Sequence, residues 1–311
     1  MPKMPRSRTA ALTAGLAVAA AGRGGRLGAI AVSALCLAVT VSAGCGDSAT
    51  AAAGQRASAS QTRLPNKNGT FKFAVLGDFG SGDRRQYELA AQMAAVRARF
   101  PFKTVLLTGD NLYGSERPQD FKRKFEDPYK PLLDAGVKFY ASLGNHDSRE
   151  QRYYKLFNME GNLYYTFNPA SDVRFFIFES TYPEPEQIRW LEKELAGSTS
   201  KWKIVVFHHP LYSSGKRHGS DRRLREALEP LLLKHNVSVV FNGHDHFYER
   251  VKPQKGITYF VVGAGGQLRS GNIDRSSGLT AGGFDTDLSF LAAEIDGDHM
   301  YFNGISRSGQ V

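Results

Sequence analysis

The alternation of hydrophobic and polar positions changes texture twice along the chain. Residues 27–43 form an uncharged run of Ala, Val and Leu, residues 46–69 are rich in Ala, Ser, Gly and Thr with hardly an apolar anchor, and from Phe71 short apolar runs alternate with amphipathic stretches. In that last region apolar residues at helical spacing predict a helix over 86–100, between strands at 71–76 and 104–108. This is a βαβ unit, so a parallel sheet is expected. A helix in two pieces, broken at Asp127-Pro128, covers 118–133, and a strand covers 138–143. Strands at 163–167 and 174–179 stand close enough to pair antiparallel. Next come a helix over 184–196, a strand over 203–207, a helix over 224–235, a β-branched strand from Val237 and a strand over 258–262. A hairpin of 288–295 with 300–305, turning at Asp296-Gly297-Asp298, closes the chain. Early alternation and late hairpins predict an α/β fold, a four-layer α/β/β/α sandwich of two mixed β-sheets flanked by helices.

Composition changes this picture mainly at the N-terminus. A chain of 311 residues, 41% hydrophobic and 23% charged, can bury a full globular core. The formal charge of +10 includes Lys3, Arg6, Arg8, Arg23 and Arg26, and residues 1–45 carry no acid. Without them 35 basic residues face 30 acidic ones, a mild excess that suits anionic substrates. No basic stripe is interleaved with aromatics, so a nucleic-acid partner is not expected. Basic residues followed by an apolar run and small residues make 1–45 a signal peptide. Ser42-Ala43-Gly44-Cys45 resembles the lipobox of bacterial lipoproteins, although Ser42 stands where Leu is usual. A lipoprotein of the bacterial cell envelope and a secreted or periplasmic protein both fit, with membrane contact only through a lipid at Cys45. Cys36 is the only other cysteine and lies in the leader, so the mature chain has no internal disulfide. Residues 46–69 read as a disordered tether and 70–311 as the catalytic domain.

The chemistry sits at strand ends. The first strand ends in Gly77-Asp78-Phe79-Gly80, the second in Gly109-Asp110-Asn111-Leu112-Tyr113 and the third in Gly144-Asn145-His146-Asp147. The strand at 203–207 ends in His208-His209, and the one from Val237 in Asn242-Gly243-His244-Asp245-His246. One Asp after a strand usually caps a helix or forms a turn. Five such ends in one chain are too many for capping. Oxygen and imidazole donors without thiolate suit iron, zinc or manganese. A single structural zinc is satisfied by four ligands, so seven candidates point to two metals sharing a carboxylate. Two ions about 3.5–4 Å apart clamp the attacking and leaving oxygens of an in-line displacement at phosphorus.

The ordered motifs Gly-Asp-x-Gly, Gly-Asp-x-x-Tyr, Gly-Asn-His-Asp, x-x-His and Gly-His-x-His resemble those of the calcineurin-like metallophosphoesterases over residues 71–266, and within them the purple acid phosphatases. Most of the superfamily has Asp-x-His in the first motif; here Gly80 replaces the His, and Tyr113 stands where the purple acid phosphatase tyrosine does. The resemblance implies ferric iron on Asp78, Asp110, Tyr113 and His246. It implies a second ion, Fe2+, Zn2+ or Mn2+, sharing Asp110 and taking Asn145, His208 and His244. It implies an acid phosphatase whose metal-bound hydroxide attacks a small phosphate monoester, with His146 and His218 steadying or protonating the departing oxygen. His218 fits that role or a solvated loop. Asp147 fits two roles, orienting the His146 ring or capping the following helix. Lys216 and Arg217 fit anion attraction or plain solvated surface, and His209 is expected to pack or hydrogen-bond behind the site. The segment Gly263-Ala264-Gly265-Gly266 reads as a loop packed close beside the metals. Glu179, where the family often has Asp, carries no derived consequence.

Two other functions fit the same residues. A phosphodiesterase acting on nucleotides, phospholipids or cell-wall polymers needs the same ligands and a different pocket, and the loops at 115–127 and 266–286 carry no decipherable code for it. A non-enzymatic phosphate-binding lipoprotein needs no substrate-side histidines.

Overall fold

Every residue of the strand Phe71–Leu76 is apolar except Lys72, and the computed structural model shows why. The model describes residues 64–310. In this strand, β1, Phe73 and Val75 point into the space between two sheets, while Ala74 and Leu76 point to a layer of helices. A strand buried on both faces reads as a continuous hydrophobic run, unlike a half-exposed one.

The other strands are β2 (Thr104–Thr108), β3 (Lys138–Ser142), β4 (Tyr165–Ala170), β5 (Val173–Ile177), β6 (Trp202–Val206) and β7 (Val239–Asn242). They continue with β8 (Tyr248–Val251), β9 (Thr258–Val262), β10 (Thr280–Phe284), β11 (Ser289–Asp296) and β12 (His299–Ser306). Five strands form one sheet in the order β12-β11-β1-β2-β3, and seven form the other, β10-β8-β9-β7-β6-β5-β4. β1, β2 and β3 are parallel, as are β5, β6, β7 and β9. β4 pairs antiparallel with β5, as its short connection predicts. The sequence pattern misses β8 and β10, which pair with each other. Tyr-Glu-Arg-Val has two charges among four residues and Thr-Ala-Gly-Gly-Phe has two glycines, so tertiary pairing outweighs weak strand propensity.

Helices α1 (Arg84–Arg99), α2 (Pro118–Phe121) and α3 (Asp127–Asp134) precede α4 (Pro185–Ala196) and α5 (Arg222–Lys234). A π-turn at Lys122–Glu126 joins α2 to α3 in one continuous helical run; Pro128 has no N–H to offer the Lys124 carbonyl, and Gln86 Nε2 donates to that carbonyl instead. Leu89 and Met93 of α1 and Tyr129 and Leu132 of α3 pack on the outer face of the first sheet. Leu191 and Leu195 of α4 and Leu228 and Leu232 of α5 pack on the outer face of the second. Between the sheets Phe73 meets Phe175 and Phe241 edge-on, at 5.5 and 6.0 Å between ring centroids. The layers are therefore α/β/β/α.

The expected signal peptide and residues 46–63 of the expected tether lie outside the described residues. Residues 64–69 are held on the domain. The backbone N–H groups of Asn66 and Lys67 donate to the Glu294 carboxylate at 2.6 and 2.8 Å, and Leu64 packs on the core. Among the described residues no helix is long and apolar enough to cross a membrane.

Candidate metal centre

The chain bends sharply where β1, β2 and β7 end. Asp78, Asp110 and His244 have φ of +53°, +50° and +70°, the left-handed region that non-glycine residues seldom enter. Such strain costs of order 1 kcal/mol or more per residue and clusters at functional sites. The neighbouring glycines allow it. A Cβ on Gly144 would lie 2.2 Å from Oδ1 of Asp110, and one on Gly243 would lie 2.4 Å from Oδ2 of Asp78.

The structure brings together all seven expected ligands, in two clusters joined by Asp110. In one, the Tyr113 hydroxyl lies 3.3 Å from Oδ1 of Asp78, 3.1 Å from Oδ2 of Asp110 and 3.3 Å from Nε2 of His246. His246 Nε2 is 3.4 Å from Asp78 Oδ1. In the other, His208 Nε2 lies 3.1 Å from Oδ1 of Asn145, 3.1 Å from Nδ1 of His244 and 3.4 Å from Oδ1 of Asp110. His208 Nδ1 donates to the Thr108 carbonyl at 2.9 Å, because a carbonyl can only accept. That fixes the tautomer and leaves Nε2 with a lone pair facing the acceptor oxygens of Asn145 and Asp110. Among the described residues, Asp78, Asp110 and His246 form one group with donor atoms within 4.8 Å of one another, and His208, His209 and His244 form another.

Electrostatics agree that a cation fits here. Burial and the adjacent Asp110 push Asp78 well above the usual carboxylate range. Burial, then Asp78 and Asp110, push the Tyr113 phenol up, so the bare chain keeps its proton. Burial holds His208 and His244 down, and burial with Arg269 pushes His246 down to about 4. Neutral imidazoles and crowded, desolvated oxygens that lack a countercharge are what a bound cation relieves. The donor set, without sulfur, fits hard to borderline ions.

His146 and His218 reach the same place. The His146 ring lies 4.9 Å from the Tyr113 ring, and its backbone N–H donates to Asp110 Oδ1 at 3.0 Å. The His218 ring lies 4.2 Å from the His244 ring. Asp147 takes neither role foreseen for it. Its carboxylate is buried and accepts from the backbone N–H groups of Asn111, Leu112 and Gly144 at 3.0, 3.0 and 2.9 Å, tying two ligand loops together. Asn111 Nδ2 and Gln151 Nε2 donate to it as well, at 3.2 and 2.8 Å.

The sequence pattern assigns no role to Asp245 or Arg269. Asp245 turns away from the flanking histidines, accepting from Ser213 Oγ at 2.6 Å and from the Gly219 N–H at 3.0 Å, and so anchors the loop that carries His218. His209 bonds Ser180 Oγ at 3.0 Å, as foreseen, but its ring also lies 4.5 Å from that of His244. Arg269 is brought in by its backbone N–H, which donates to the His246 carbonyl at 3.1 Å. The glycine loop packs as expected, with the N–H groups of Gly265 and Gly266 on the carbonyls of Gly77 and Asp78, each at 2.9 Å.

A family model described as calcineurin-like phosphoesterase matches residues 71–248, a span that holds all seven expected ligands. The chain belongs to the calcineurin-like phosphoesterases. Purple acid phosphatase 17 of Arabidopsis thaliana is 29% identical over 245 residues, covering 67% of this chain and 72% of its own. Purple acid phosphatase 4 of the same plant is 30% identical over 239 residues, covering 65% of this chain and 70% of its own. A purple acid phosphatase from yellow lupin (Lupinus luteus) seeds shares the fold at TM-score 0.64 and 18% identity, over 80% of this chain and 53% of that one. Among the phosphoesterases the chain is therefore of the purple acid phosphatase type, a metal-dependent phosphatase with a single catalytic domain.

Proposed function

We propose that the chain is an exported acid phosphatase acting on phosphate monoesters at a dinuclear centre. Asp78, Asp110, Tyr113 and His246 would hold ferric iron, and Asp110, Asn145, His208 and His244 a second ion, Fe2+, Zn2+ or Mn2+. The observation that supports this reading is the convergence of donor atoms on His208 Nε2 and on the Tyr113 hydroxyl, at 3.1–3.4 Å, with no Lys or Arg side chain among them in the described residues. When bound, such a pair neutralises phosphoryl oxygens and lowers the pKa of water. Asp110 belongs to both clusters and so sets their separation. His146 stands over Tyr113 and His218 over His244, both solvent-facing, so a phosphoryl group between them meets an imidazole from either side. Either ring can steady the departing oxygen or give it a proton. Export rests on the leader pattern of residues 1–45, with a lipid at Cys45 as its finer form.

The test is the visible spectrum and metal content of the purified protein beside Tyr113→Phe, with turnover of p-nitrophenyl phosphate and of its bis ester. A phenolate-to-iron band in the wild type that the variant lacks, with the monoester preferred, is expected. A colourless, fully active zinc or manganese enzyme would overturn the iron assignment, and preference for the bis ester would make the chain a phosphodiesterase.

A further inference from the structure

The phosphatase reading gives no work to Arg269, which the fold holds as firmly as it holds the ligands. Residues 263–269 follow β9 and are pinned at four points on the ligand loops. The Gly265 N–H donates to the Gly77 carbonyl at 2.9 Å, those of Gly266 and Gln267 to the Asp78 carbonyl at 2.9 and 3.1 Å, and that of Arg269 to the His246 carbonyl at 3.1 Å. The packing leaves no slack, since a Cβ on Gly266 would lie 2.0 Å from the Phe79 carbonyl oxygen. The start of the Arg269 side chain is therefore fixed relative to Asp78 and His246.

Its far end has nothing to hold. Arg269 is half-buried, Nη1 is buried and meets no hydrogen-bond partner, and among the described residues the guanidinium forms no ion pair. Arg152 and Arg174 also bury an unbonded Nε, but each rests Nη2 on a carboxylate, that of Glu150 or Glu194. The charge of Arg269 acts on the metal centre. After burial it is the largest influence holding the His246 imidazole down, and it also lowers His218 on the other side. Burial, then the like charge of Arg217, draw the guanidinium itself below its ordinary range. Asp245 and Asp78 oppose this only in part. Asp245 accepts from Ser213, Gly219 and Asn272, and Asp78 is a proposed metal ligand. A buried polar group without a partner is rare in a folded chain and calls for one. A planar fork of N–H groups with permanent charge matches a phosphoryl group.

We propose that Arg269 is a further catalytic residue, whose guanidinium holds the phosphoryl group from the His246 side through two parallel N–H···O bonds and so favours phosphate monoesters over diesters. This deepens the phosphatase reading and rests on it. A monoester offers one more non-bridging oxygen than a diester and one more negative charge, and that charge stays on the equatorial oxygens in the transition state. In the step, the oxygen of one water bonds to phosphorus as the bond from phosphorus to the ester oxygen breaks. The electron pair stays on the departing oxygen; of the two water protons, one ends on that oxygen and one on the phosphate. Arg269 gives up no proton and acts through its charge and its fork.

The experiment takes the metal-loaded mature protein as wild type, Arg269→Ala and Arg269→Lys. It reads metal content, Tm, calorimetric binding of inorganic phosphate, and turnover of p-nitrophenyl phosphate and of its bis ester. Arg269→Ala should keep wild-type metal content and Tm, because the guanidinium bonds nothing in the domain. Its kcat/KM for the monoester should fall about 100-fold or more, mainly in kcat, and that for the bis ester less. The Kd for phosphate should rise about tenfold or more, as charge-assisted bonds are lost. Arg269→Lys should recover only part, since a point charge lacks the fork. Monoester kcat/KM and phosphate Kd both within about twofold of wild type in Arg269→Ala, far less than a charge-assisted contact supplies, overturn the proposal. A loss that comes with missing metal or a lower Tm overturns the catalytic role in favour of a structural one. Equal losses on the two esters overturn the selectivity, and full recovery in Arg269→Lys overturns the paired bonds. A fully loaded wild type inert toward p-nitrophenyl phosphate overturns the phosphatase reading itself, while the phosphate calorimetry still tests Arg269 alone.

Discussion

Asp147→Asn replaces one oxygen by an NH2 group in a carboxylate that five N–H donors face. Oδ2 takes three of those bonds, from Asn111 N, Asn111 Nδ2 and Gly144 N, and Oδ1 takes two, from Leu112 N and Gln151 Nε2. The amide therefore settles with its NH2 in the Oδ1 position, where fewer donors are opposed. Gln151 keeps a partner there, because its Nε2 also donates to Glu116 at 2.9 Å. The Leu112 N–H does not. One buried donor left unmet costs roughly 1–3 kcal/mol, which in a domain of this size is a fall in Tm of about 2–12 °C. Leu112 lies between Asp110 and Tyr113, and Gly144 immediately precedes Asn145, so the same change loosens two loops that carry proposed ligands. Losing a group that orients ligands lowers metal affinity by about 10–100-fold. Differential scanning fluorimetry gives the first quantity, and competition with a chelator, followed by metal analysis, gives the second. A variant with reduced Tm and wild-type metal affinity would show that Asp147 supports the fold alone. One unchanged in both would refute the reasoning.

Gly144→Ala should abolish metal retention in a soluble chain, because the new methyl would lie 2.2 Å from Asp110 Oδ1; full metal content by elemental analysis would contradict this. Phe73→Ala removes a fully buried ring from between the sheets and should destabilise by roughly 3–5 kcal/mol, read by urea denaturation. The metal-free protein should lose stability above about pH 6.5. His246 is pushed down to about 4 in the folded chain, and His208 and His244 are also depressed below the ordinary 6.5, so their contribution is fully present above 6.5 and lost as pH falls. Asp78 and Asp110 are raised, and Asp147 is raised to about 7, so the stability they contribute is fully present below the ordinary carboxylate range and lost as pH rises, for Asp147 through about 7. The two sets oppose each other between about pH 4 and 6.5, and only the carboxylates act above it; a Tm of the chelated protein that rises from about pH 6.5 to 8 would contradict this balance.

The ligand set is legible in sequence because each strand end writes an apolar run, a glycine and a donor within a few residues, and the local rule and the global fold agree. His218 is legible only through resemblance, since the turn that carries it is held at Gly219 by Asp245, 26 residues further along the chain. The roles of Asp147 and Asp245 are not legible for a physical reason: a carboxylate's work depends on which donors meet it, and Asn111 and Leu112 for Asp147, and Ser213 and Gly219 for Asp245, come from distant loops. β8 and β10 escape the pattern because their pairing compensates for glycines and charges that weaken a strand in isolation.

Neither proposed ion site is complete on one half of the sandwich. Asp78, Asp110, Tyr113 and Asn145 follow strands of the first sheet, and His208, His244 and His246 follow strands of the second. The cations would thus act as rivets through a seam between two slabs, and loading becomes a checkpoint on assembly. A chain whose slabs meet out of register offers each ion only part of its donors and stays empty, while the correctly joined chain is locked by the same event that arms it.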